Sequence, residues 1–449
     1  TLPIDSLKSD FSQAMQHYHL VIEAETGSGK STRLPIWAAE QGRVLVVEPR
    51  RIACTSLAQF LADQSGEVLG KKVGYAIKLE AAYTPDTQVV FVTPGVALRW
   101  LSENGLSEFD IIVVDEFHER RWDIDLLVAL LKQKQTHRLL ITSATIEGEK
   151  LATYLSAKRM KSEGRVYEVA LQHRSRDTRD LPDIRNLEQR VKAEVEYQLE
   201  QSSQDILVFL PGRKEITQCA QMLNSHEGIR VVKLHASVSD EERNLALTVQ
   251  SQRKVVLATN VAETSLTIPN IEVVIDSGLE RRTVQRNGRT TLSLKNISQA
   301  SAKQRAGRAG RVMEGTCVRL YGQHAALELV TPPELQREEL IEPMLASASC
   351  GYSIESLSFI DELPVKSLES ARQKLKMMSA IDEQGMITEH GKALYPLPID
   401  AINADLVTRI SHKATKEAMI DLTAALSVPA SLYQLPKNEE QSDELVKTL

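Results

Sequence analysis

The sequence predicts an α/β protein with two tandem parallel-sheet domains, followed by a mostly α-helical region. Three observations carry this prediction: two successive series of short apolar runs, helical patterns between the runs, and the loss of such runs after about residue 331. Near-continuous runs rich in Val and Ile are typical of strands buried on both faces of a parallel sheet. Helical patterns between them complete β-α-β units.

The two series set the predicted domain limits. The first, in residues 1–165, contains His19–Glu23, Val44–Glu48, Val89–Val92, Ile111–Asp115 and Leu139–Thr142. The second, in residues 166–330, contains Ile206–Leu210, Val231–Leu234, Val255–Ala258 and Val273–Asp276. Within the second, Asn287-Gly288 separates two strand-like segments, so we expect a β-hairpin near residues 280–294. Two further units are expected, at 331–395 and 396–449.

Composition is ordinary for a soluble globular protein, with 42% hydrophobic and 25% charged residues. The net charge of -6 does not favour a nucleic-acid binder, although a local basic groove can exist on an acidic protein. No apolar stretch is long enough for a membrane span, and no signal segment opens the chain. We therefore expect a cytoplasmic monomer without a membrane partner. Because the chain starts with Thr1 and ends at Leu449, after an acidic stretch, we expect a fragment of a longer protein.

Cysteine spacing argues against a local zinc site. No two of the four cysteines form a Cys-x-x-Cys pair, which favours a reducing compartment and buried apolar roles for each. They are Cys54, Cys219, Cys317 and Cys350.

A glycine-rich loop follows the first apolar run and opens a helical pattern. It reads Ala24-Glu25-Thr26-Gly27-Ser28-Gly29-Lys30-Ser31-Thr32. Glycines let backbone N–H groups point at phosphate oxygens, and the following helix presents its positive N-terminus to the same anion. We expect Lys30 to neutralise the β- and γ-phosphates of a nucleotide and the Ser31 hydroxyl to bind Mg²⁺. The expected nucleotide-binding residues of the loop are Gly27, Ser28, Gly29, Lys30, Ser31 and Thr32. Ala24 stands where the usual pattern has Gly, and such a loop does not separate kinases, GTPases and motors.

Two acids, Asp115 and Glu116, directly follow the apolar run Ile111–Val114. Ligands of open α/β sheets bind at the carboxyl ends of the strands, where both carboxylates would lie. We expect Asp115 to hold Mg²⁺ through its water shell and Glu116 to polarise the attacking water or accept its proton. Both acids, with Ser31, are candidate metal ligands. The alternative is a solvated strand-to-helix corner.

The third motif, Gln304–Arg311, belongs to the second domain. Arg308 and Arg311 are three residues apart and would point the same way on a helix. Two guanidinium groups on one face suit the oxygens of a transferring γ-phosphoryl group, so we expect arginine fingers that act on ATP held by the first domain. The alternative is a basic, solvated helical turn.

Together these segments resemble the superfamily 2 helicases of the DEAH/RHA group, and within it the bacterial Hrp-type RNA helicases. The matching segments occur in family order over most of residues 15–320, and the match is weaker over 330–430. They are 24–32, Glu48–Arg51, Thr93–Gly95, Asp115–His118, Ser143–Thr145, Leu207–Gly212, Thr259–Ile268 and Gln304–Arg311. Asp-Glu-Phe-His replaces the eponymous Asp-Glu-Ala-His.

The resemblance implies two RecA-like domains with ATP between them, a winged helix over 331–395 and the start of a ratchet-like helical domain over 396–449. It implies that Gln304 orients the attacking water and that His118 links the nucleotide to the second domain. Ser143 and Thr145 would couple hydrolysis to domain movement. The residues implied to hold the phosphate backbone of a single strand are Arg50, Thr93, Gly95 and Thr264. RNA as that strand rests on the resemblance alone, because backbone contacts carry little information on sequence or sugar.

One departure concerns the nucleotide base, which the family places between an Arg and a Phe. Phe60 and Leu247 stand at those positions, so we expect weak base contact and use of NTPs other than ATP. Two alternative functions stay open: a nucleotide-gated RNA-binding clamp that unwinds little, and a DNA-directed translocase. The sequence does not identify a protein activator.

Overall fold

A computed structural model describes residues 2–25, 27–144, 147–162, 167–264, 266–286 and 289–427. Each series of apolar runs forms one parallel sheet, and a helical region follows. The predicted fold class, two tandem parallel-sheet domains with a helical C-terminal region, is confirmed.

The first sheet lies within residues 20–162. Its strands in the described residues are β1 (Leu20–Ala24), β2 (Val44–Val47), β3 (Val73–Ile77), β4 (Glu80–Ala82), β5 (Val89–Val92), β6 (Ile111–Val114), β7 (Arg138–Ser143) and β8 (Lys158–Ser162). The helices beside it are α1 (Lys8–Met15), α2 (Lys30–Ala39), α3 (Arg51–Ser65), α4 (Pro94–Asn104), α5 (Trp122–Lys134) and α6 (Gly148–Leu155). The strand order is β4-β3-β5-β2-β6-β7-β1-β8, and every pairing is parallel except β3 with β4.

The neighbouring strands β6, β7 and β1 position the first half of the site. All residues of β1 and β6 are buried, because both sheet faces are covered by apolar helices. Parallel strands end at the same sheet edge. The segments after β1, β6 and β7 therefore meet there, and these segments carry the glycine loop, Asp115 and Ala144.

The second sheet lies within residues 169–319. The elements around it, in chain order, are β9 (Val169–His173), α7 (Leu187–Gln201), β10 (Asp205–Phe209), α8 (Arg213–Leu223), β11 (Ile229–Leu234), α9 (Asp240–Leu247), β12 (Arg253–Ala258), β13 (Ile271–Asp276), β14 (Leu279–Arg286), β15 (Arg289–Asn296), α10 (Gln299–Ala306) and β16 (Gly315–Arg319). In the described residues the sheet order is β11-β12-β10-β13-β16-β9, all parallel. β14 and β15 pair antiparallel where the sequence predicts a hairpin, and its Asn287-Gly288 turn lies outside the described residues.

The C-terminal region (residues 331–427) is helical. Its helices in the described residues are α11 (Glu334–Arg337), α12 (Ile341–Ser349), α13 (Val365–Met377), α14 (Glu389–Leu394), α15 (Ala401–Arg409) and α16 (Lys413–Ser427). An antiparallel bridge joins Ile381 to Ile387, within the range 331–395 for which the resemblance implies a winged helix. None of the described helices combines the length and apolar character needed to cross a membrane.

The C-terminal region packs on both domains. Ala346 and Leu357 are buried within one of the apolar cores of the first domain. The hairpin of the second domain instead makes polar contacts, in which Thr283 donates to the Glu338 carboxylate and Arg337 donates to the Thr283 carbonyl oxygen at 2.6 Å. The first domain adds polar contacts of its own, in which Arg120 pairs with Asp361 at 2.7 Å and the Trp122 N–H donates to Glu334 at 2.9 Å.

Candidate nucleotide and nucleic-acid sites

The glycine loop adopts a conformation that its glycines permit. Gly27 and Gly29 have φ of 88° and 92°, in the left-handed region that favours glycine. Gly29 is also the N-cap of α2, and a Cβ there would lie 2.5 Å from a methyl carbon of Leu2. Leu2 of the N-terminal segment thus packs closely against the backbone of the glycine loop at Gly29. The Ser28 hydroxyl is buried and has no hydrogen-bond partner among the described residues, as expected for a group that awaits a ligand.

Lys30, the first residue of α2, is buried against the acids of the first domain. Its Nζ lies 3.2 Å from Glu116 Oε1 and 3.4 Å from the Ala24 carbonyl oxygen. Burial alone would lower the pKa of Lys30, but the carboxylates of Glu116 and Asp115 outweigh it and raise the pKa. The ammonium group is therefore held charged at the mouth of the loop, where phosphates would arrive.

Asp115 is the most densely hydrogen-bonded acid of the site. Its Oδ2 accepts from the Ser31 hydroxyl at 2.6 Å, and its Oδ1 accepts from the Thr142 hydroxyl and from the Glu116 backbone N–H at 3.0 Å. Burial opposes ionisation, but Lys30 and these hydrogen bonds lower the pKa of Asp115. A hydroxyl beside an ionised carboxylate is the oxygen donor set that Mg²⁺ takes together with phosphates. These residues therefore fit a magnesium–nucleotide complex.

Glu116 and His118 follow in a strained turn that links this site to the end of β7. Glu116 has a φ of 56°, which is uncommon for a residue with a side chain. Its Oε2 lies 3.2 Å from His118 Nε2, and His118 Nδ1 accepts the Ala144 backbone N–H at 3.2 Å. Burial lowers the pKa of His118, so the ring is neutral. Ser143 is buried at the end of β7, whereas Thr145 lies outside the described residues.

Sequence reasoning missed two groups in this cluster, Glu48 and Thr142. Glu48 is buried just beyond β2 with one carboxyl oxygen unpartnered among the described residues. Burial and the neighbouring Asp115 raise its pKa well above the usual range. Glu48 belongs to the quoted segment Glu48–Arg51, and Thr142 ends a predicted strand. Nothing in the sequence placed either of them against Asp115.

The two arginines of the third motif do not lie on one α-helix. α10 ends at Ala306, and the N–H groups of Arg308 and Ala309 bond three residues back, so the expectation of a continuous helix is wrong. Arg308 donates to the carbonyl oxygens of Leu266, at 2.6 Å, and Glu263. The α-helix thus gives way to a tighter, 3₁₀-like turn at Arg308 and Ala309.

Arg311 reaches across to the first domain. A Cβ on Gly27 would lie 3.9 Å from the central carbon of its guanidinium group, and its Nη1 donates to the Thr267 hydroxyl at 3.1 Å. Burial lowers the pKa of Arg311 to about 10, and burial and Arg311 lower that of Arg308 well below its usual range. Within the described residues neither forms an ion pair with a carboxylate. Burying a positive charge without a carboxylate partner costs free energy, and an anion bound beside these arginines would offset that cost.

The other predicted residue of this motif, Gln304, is half-buried in the last turn of α10. It lines a polar cavity of about 320 Å³ between the two domains, the hairpin and the C-terminal region. Arg50, His118 and Thr264 line the same cavity.

The four predicted backbone-binding residues fall into two groups. Thr93 is the N-cap of α4, and Gly95, exposed in its first turn, has open space where a Cβ would lie. Arg50 and Thr264 come from different domains and meet on a residue that sequence reasoning missed, Glu119. Glu119 stands three residues after Glu116, and its position between the domains had no signal in the sequence.

The predicted base contacts are not assembled into a stack. Phe60 is 48% exposed on α3, and Leu247 packs partly against the core of the second domain. Their role toward a nucleotide base stays a prediction.

Known families match both domains of the chain. Residues 8–153 match the family described as DEAD/DEAH box helicase, and residues 186–313 match the one described as Helicase conserved C-terminal domain. Among named proteins, the chain is 34% identical over 468 residues to ATP-dependent RNA helicase HrpA of Escherichia coli (strain K12), covering 99% of this chain and 36% of that protein. It is 33% identical over 470 residues to the protein of the same name from Borreliella burgdorferi, covering 98% of this chain and 56% of that protein.

Solved structures agree with these matches. The crystal structure of Escherichia coli DEAH/RHA helicase HrpB superposes with a TM-score of 0.87 at 30% identity, covering 100% of this chain and 60% of that one. A crystal structure described as the E. coli DExH-box NTPase HrpB gives a TM-score of 0.85 at 30% identity, covering 99% and 58%. The chain thus spans about a third to three fifths of the length of these relatives. With both of its helicase domains matched, the chain belongs to the DEAD/DEAH box helicases.

Proposed function

We propose that this chain is the motor of an ATP-driven RNA helicase or translocase, which hydrolyses NTP between its two sheet domains and moves along a single strand. The observation that carries the proposal is the position of Arg311 from the second domain against Gly27 of the glycine loop in the first. A site shared in this way changes its electrostatics when the cleft opens or closes. Relatives named ATP-dependent RNA helicase support RNA as the polymer.

The nucleotide half of the proposal uses the buried cluster of the first domain. Lys30 and the loop N–H groups would hold the phosphates, and Ser31 with Asp115 would hold Mg²⁺, which supplies charge neutralisation between the phosphates. Lys30 holds Glu116 in place at 3.2 Å, from where the carboxylate would accept a proton from the attacking water. Gln304 would help to orient that water.

The second domain would complete the reaction. Arg311, beside the loop, and Arg308, which the carbonyl oxygens of Leu266 and Glu263 hold in place, would stabilise negative charge on the transferring phosphoryl group. The hydrogen bond from the Ala144 N–H to His118 gives the acid segment a direct link to the end of β7, near Ser143. Through that link, hydrolysis beside Glu116 would be coupled to the end of β7.

The strand half rests on contacts that do not read bases. Thr93 and Gly95 at the N-terminus of α4, with Arg50 and Thr264 at the domain boundary, would bind phosphates of one strand. We expect binding that weakens with salt and depends little on sequence. Phe60 and Leu247 stand where the family has the Arg and the Phe that hold the base, so base contact should be weak and GTP should also be turned over.

The test is NTPase activity with matched RNA and DNA oligonucleotides, with ATP and with GTP. The wild type should be stimulated by RNA, and Glu116→Gln should lose turnover while it keeps nucleotide binding. Glu108→Gln, the same change at a 59% exposed side chain, should behave as the wild type. Absence of stimulation by either polymer would overturn the proposal, stimulation by DNA alone would overturn its RNA part, and strict ATP use would overturn the expected NTP breadth. A cytoplasmic location and a monomeric state stay predictions.

A further inference from the structure

Glu119 is the acid at which the two proposed strand-binding residues meet. Its Oε1 accepts from Arg50 Nη1 at 2.6 Å and from the Thr264 hydroxyl at 2.8 Å. Arg50 Nη1 itself lies 3.4 Å from the Thr264 hydroxyl oxygen. One carboxylate oxygen is therefore held by a guanidinium group of the first domain and a hydroxyl of the second.

The carboxylate of Glu119 is negatively charged in this position. Burial would raise its pKa, but the charge of Arg50 and the hydrogen bonds from Thr264 and Arg50 outweigh burial and lower it. An anionic oxygen between a guanidinium group and a hydroxyl is also the arrangement that a backbone phosphate oxygen adopts on a protein. Glu119 thus offers Arg50 and Thr264 the same chemistry as the strand that they are proposed to bind.

We propose that Glu119 is an internal substitute for an RNA phosphate, which the strand must displace from Arg50 and Thr264 before it binds fully. The inference rests on the proposed function, because it takes these two residues as backbone contacts. In the absence of RNA, the carboxylate bridges the domains and keeps the Arg50 charge compensated. Only a strand that supplies a phosphate at this position can replace it.

The surroundings give the displaced carboxylate another place to go. Glu119 lines the 320 Å³ polar cavity, and so does the neighbouring Arg121. Burial would lower the pKa of Arg121, but nearby carboxylates raise it, Asp123 most and Glu119 to a smaller extent. Arg121 forms an ion pair with Asp123 at 3.0 Å and is 35% exposed, so it can accept a second carboxylate from the cavity side.

The competing explanation is that Glu119 only orients Arg50 for the strand. The two roles predict opposite effects of Glu119→Gln, which keeps the shape and one acceptor oxygen but removes the charge. A substitute phosphate predicts RNA affinity that rises about tenfold, since a charge-assisted hydrogen bond no longer has to be exchanged. It also predicts a steeper salt dependence, because a phosphate that binds Arg50 then releases a cation from the RNA without setting free a carboxylate that can take one up. A purely orienting residue predicts weaker binding.

The experiment measures binding of a labelled single-stranded RNA across a salt series, without nucleotide. Glu194→Gln is the matched control, since it removes one carboxylate that pairs with an arginine, Arg174, outside the cavity lining. It should change affinity less than twofold, so the control corrects for the change in net charge. In an Arg50→Gln background, Glu119→Gln should bring no further gain in RNA affinity, because the arginine for which Glu119 and the phosphate compete is absent. Urea unfolding verifies that each variant is folded.

The outcomes separate the two proposals. Tighter binding by Glu119→Gln that disappears in the Arg50→Gln background supports the inference. Binding by Glu119→Gln that is weaker than, or within twofold of, a wild type that binds RNA overturns the inference alone. A wild type that binds no RNA overturns the proposed function and the inference with it.

Discussion

Replacing Lys30 with Met should destabilise the protein even when no nucleotide is present. Three acids surround the buried ammonium group: Glu116 at 3.2 Å, Asp115 and Glu48. At that distance, and with an effective dielectric constant of about 20, the pair with Glu116 is worth roughly 5 kcal/mol of Coulomb energy. Removing one partner of a buried pair leaves the other uncompensated, which typically costs about 3–5 kcal/mol. We expect a loss in this range at pH 8.

The pH dependence has a definite sign. In the wild type the lowered pKa of Asp115 stabilises the fold at pH values above the unfolded pKa of the acid, about 4. Without Lys30, burial is no longer offset and the pKa of Asp115 should rise above its unfolded value. The folded variant then holds protons that the unfolded chain releases. The loss is therefore greatest at pH 8 and decreases as the pH falls to about 5.5.

Urea unfolding followed by tryptophan fluorescence measures this loss. The three tryptophans of the chain, Trp37, Trp100 and Trp122, all lie in the first domain, so the signal reports on the domain that contains Lys30. Lys8→Met is the control, because Lys8 makes an ion pair with Glu40 at 3.5 Å with both side chains more than half exposed. Such a pair contributes about 0–1 kcal/mol. Equal losses in the two variants, or a Lys30→Met loss that grows on acidification, would refute the reasoning.

Two further predictions concern the domain boundaries. Arg311→Ala should lower RNA-stimulated kcat by about 10³-fold while nucleotide affinity falls less than tenfold, because the guanidinium group acts on charge that develops in the reaction. Steady-state turnover measures kcat, and equilibrium binding of a fluorescent nucleotide measures affinity. An equal loss in kcat and in affinity would contradict the role of an arginine finger. Burial and Glu338 raise the pKa of Glu334 to about 7, so wild-type stability should fall as the pH rises from about 4.5 through 7, by up to about 3 kcal/mol. In Glu334→Gln, whose amide oxygen can still accept the Trp122 N–H, unfolding free energies at pH 5.5 and 8 should lie closer together; an unchanged pH profile would contradict this origin.

The sequence alone predicted those residues of the nucleotide site that directly follow a predicted strand. The apolar runs identified β1 and β6, and β-rich strands buried on both faces require a parallel sheet. Residues that follow such strands must lie at the carboxyl edge, so Lys30 and Asp115 could be expected in one site without coordinates. The 2.6 Å hydrogen bond from Ser31 to Asp115 agrees with that expectation.

The sequence was less informative wherever a helix ends within a motif. Spacing alone placed Arg308 and Arg311 on one helical face, whereas α10 ends at Ala306. A run of alternating small residues and arginines has no strong preference between a continued helix and a tighter turn, and glycine weakens a helix by about 1 kcal/mol relative to alanine. In the structure, the hydrogen bonds from Arg308 to the carbonyl oxygens of Leu266 and Glu263 select the tighter turn over a continued helix.

What the sequence by itself determined is therefore the two-sheet fold and the residues that follow its buried strands, because strand burial and sheet-edge geometry follow from local patterns. Only the tertiary structure decided which charges meet across domains. Glu48 against Asp115 and Glu119 between Arg50 and Thr264 join segments that no local pattern connects. Long-range electrostatic partners depend on how two domains pack. The sequence around an acidic residue does not show whether its side chain is solvated or connects two domains.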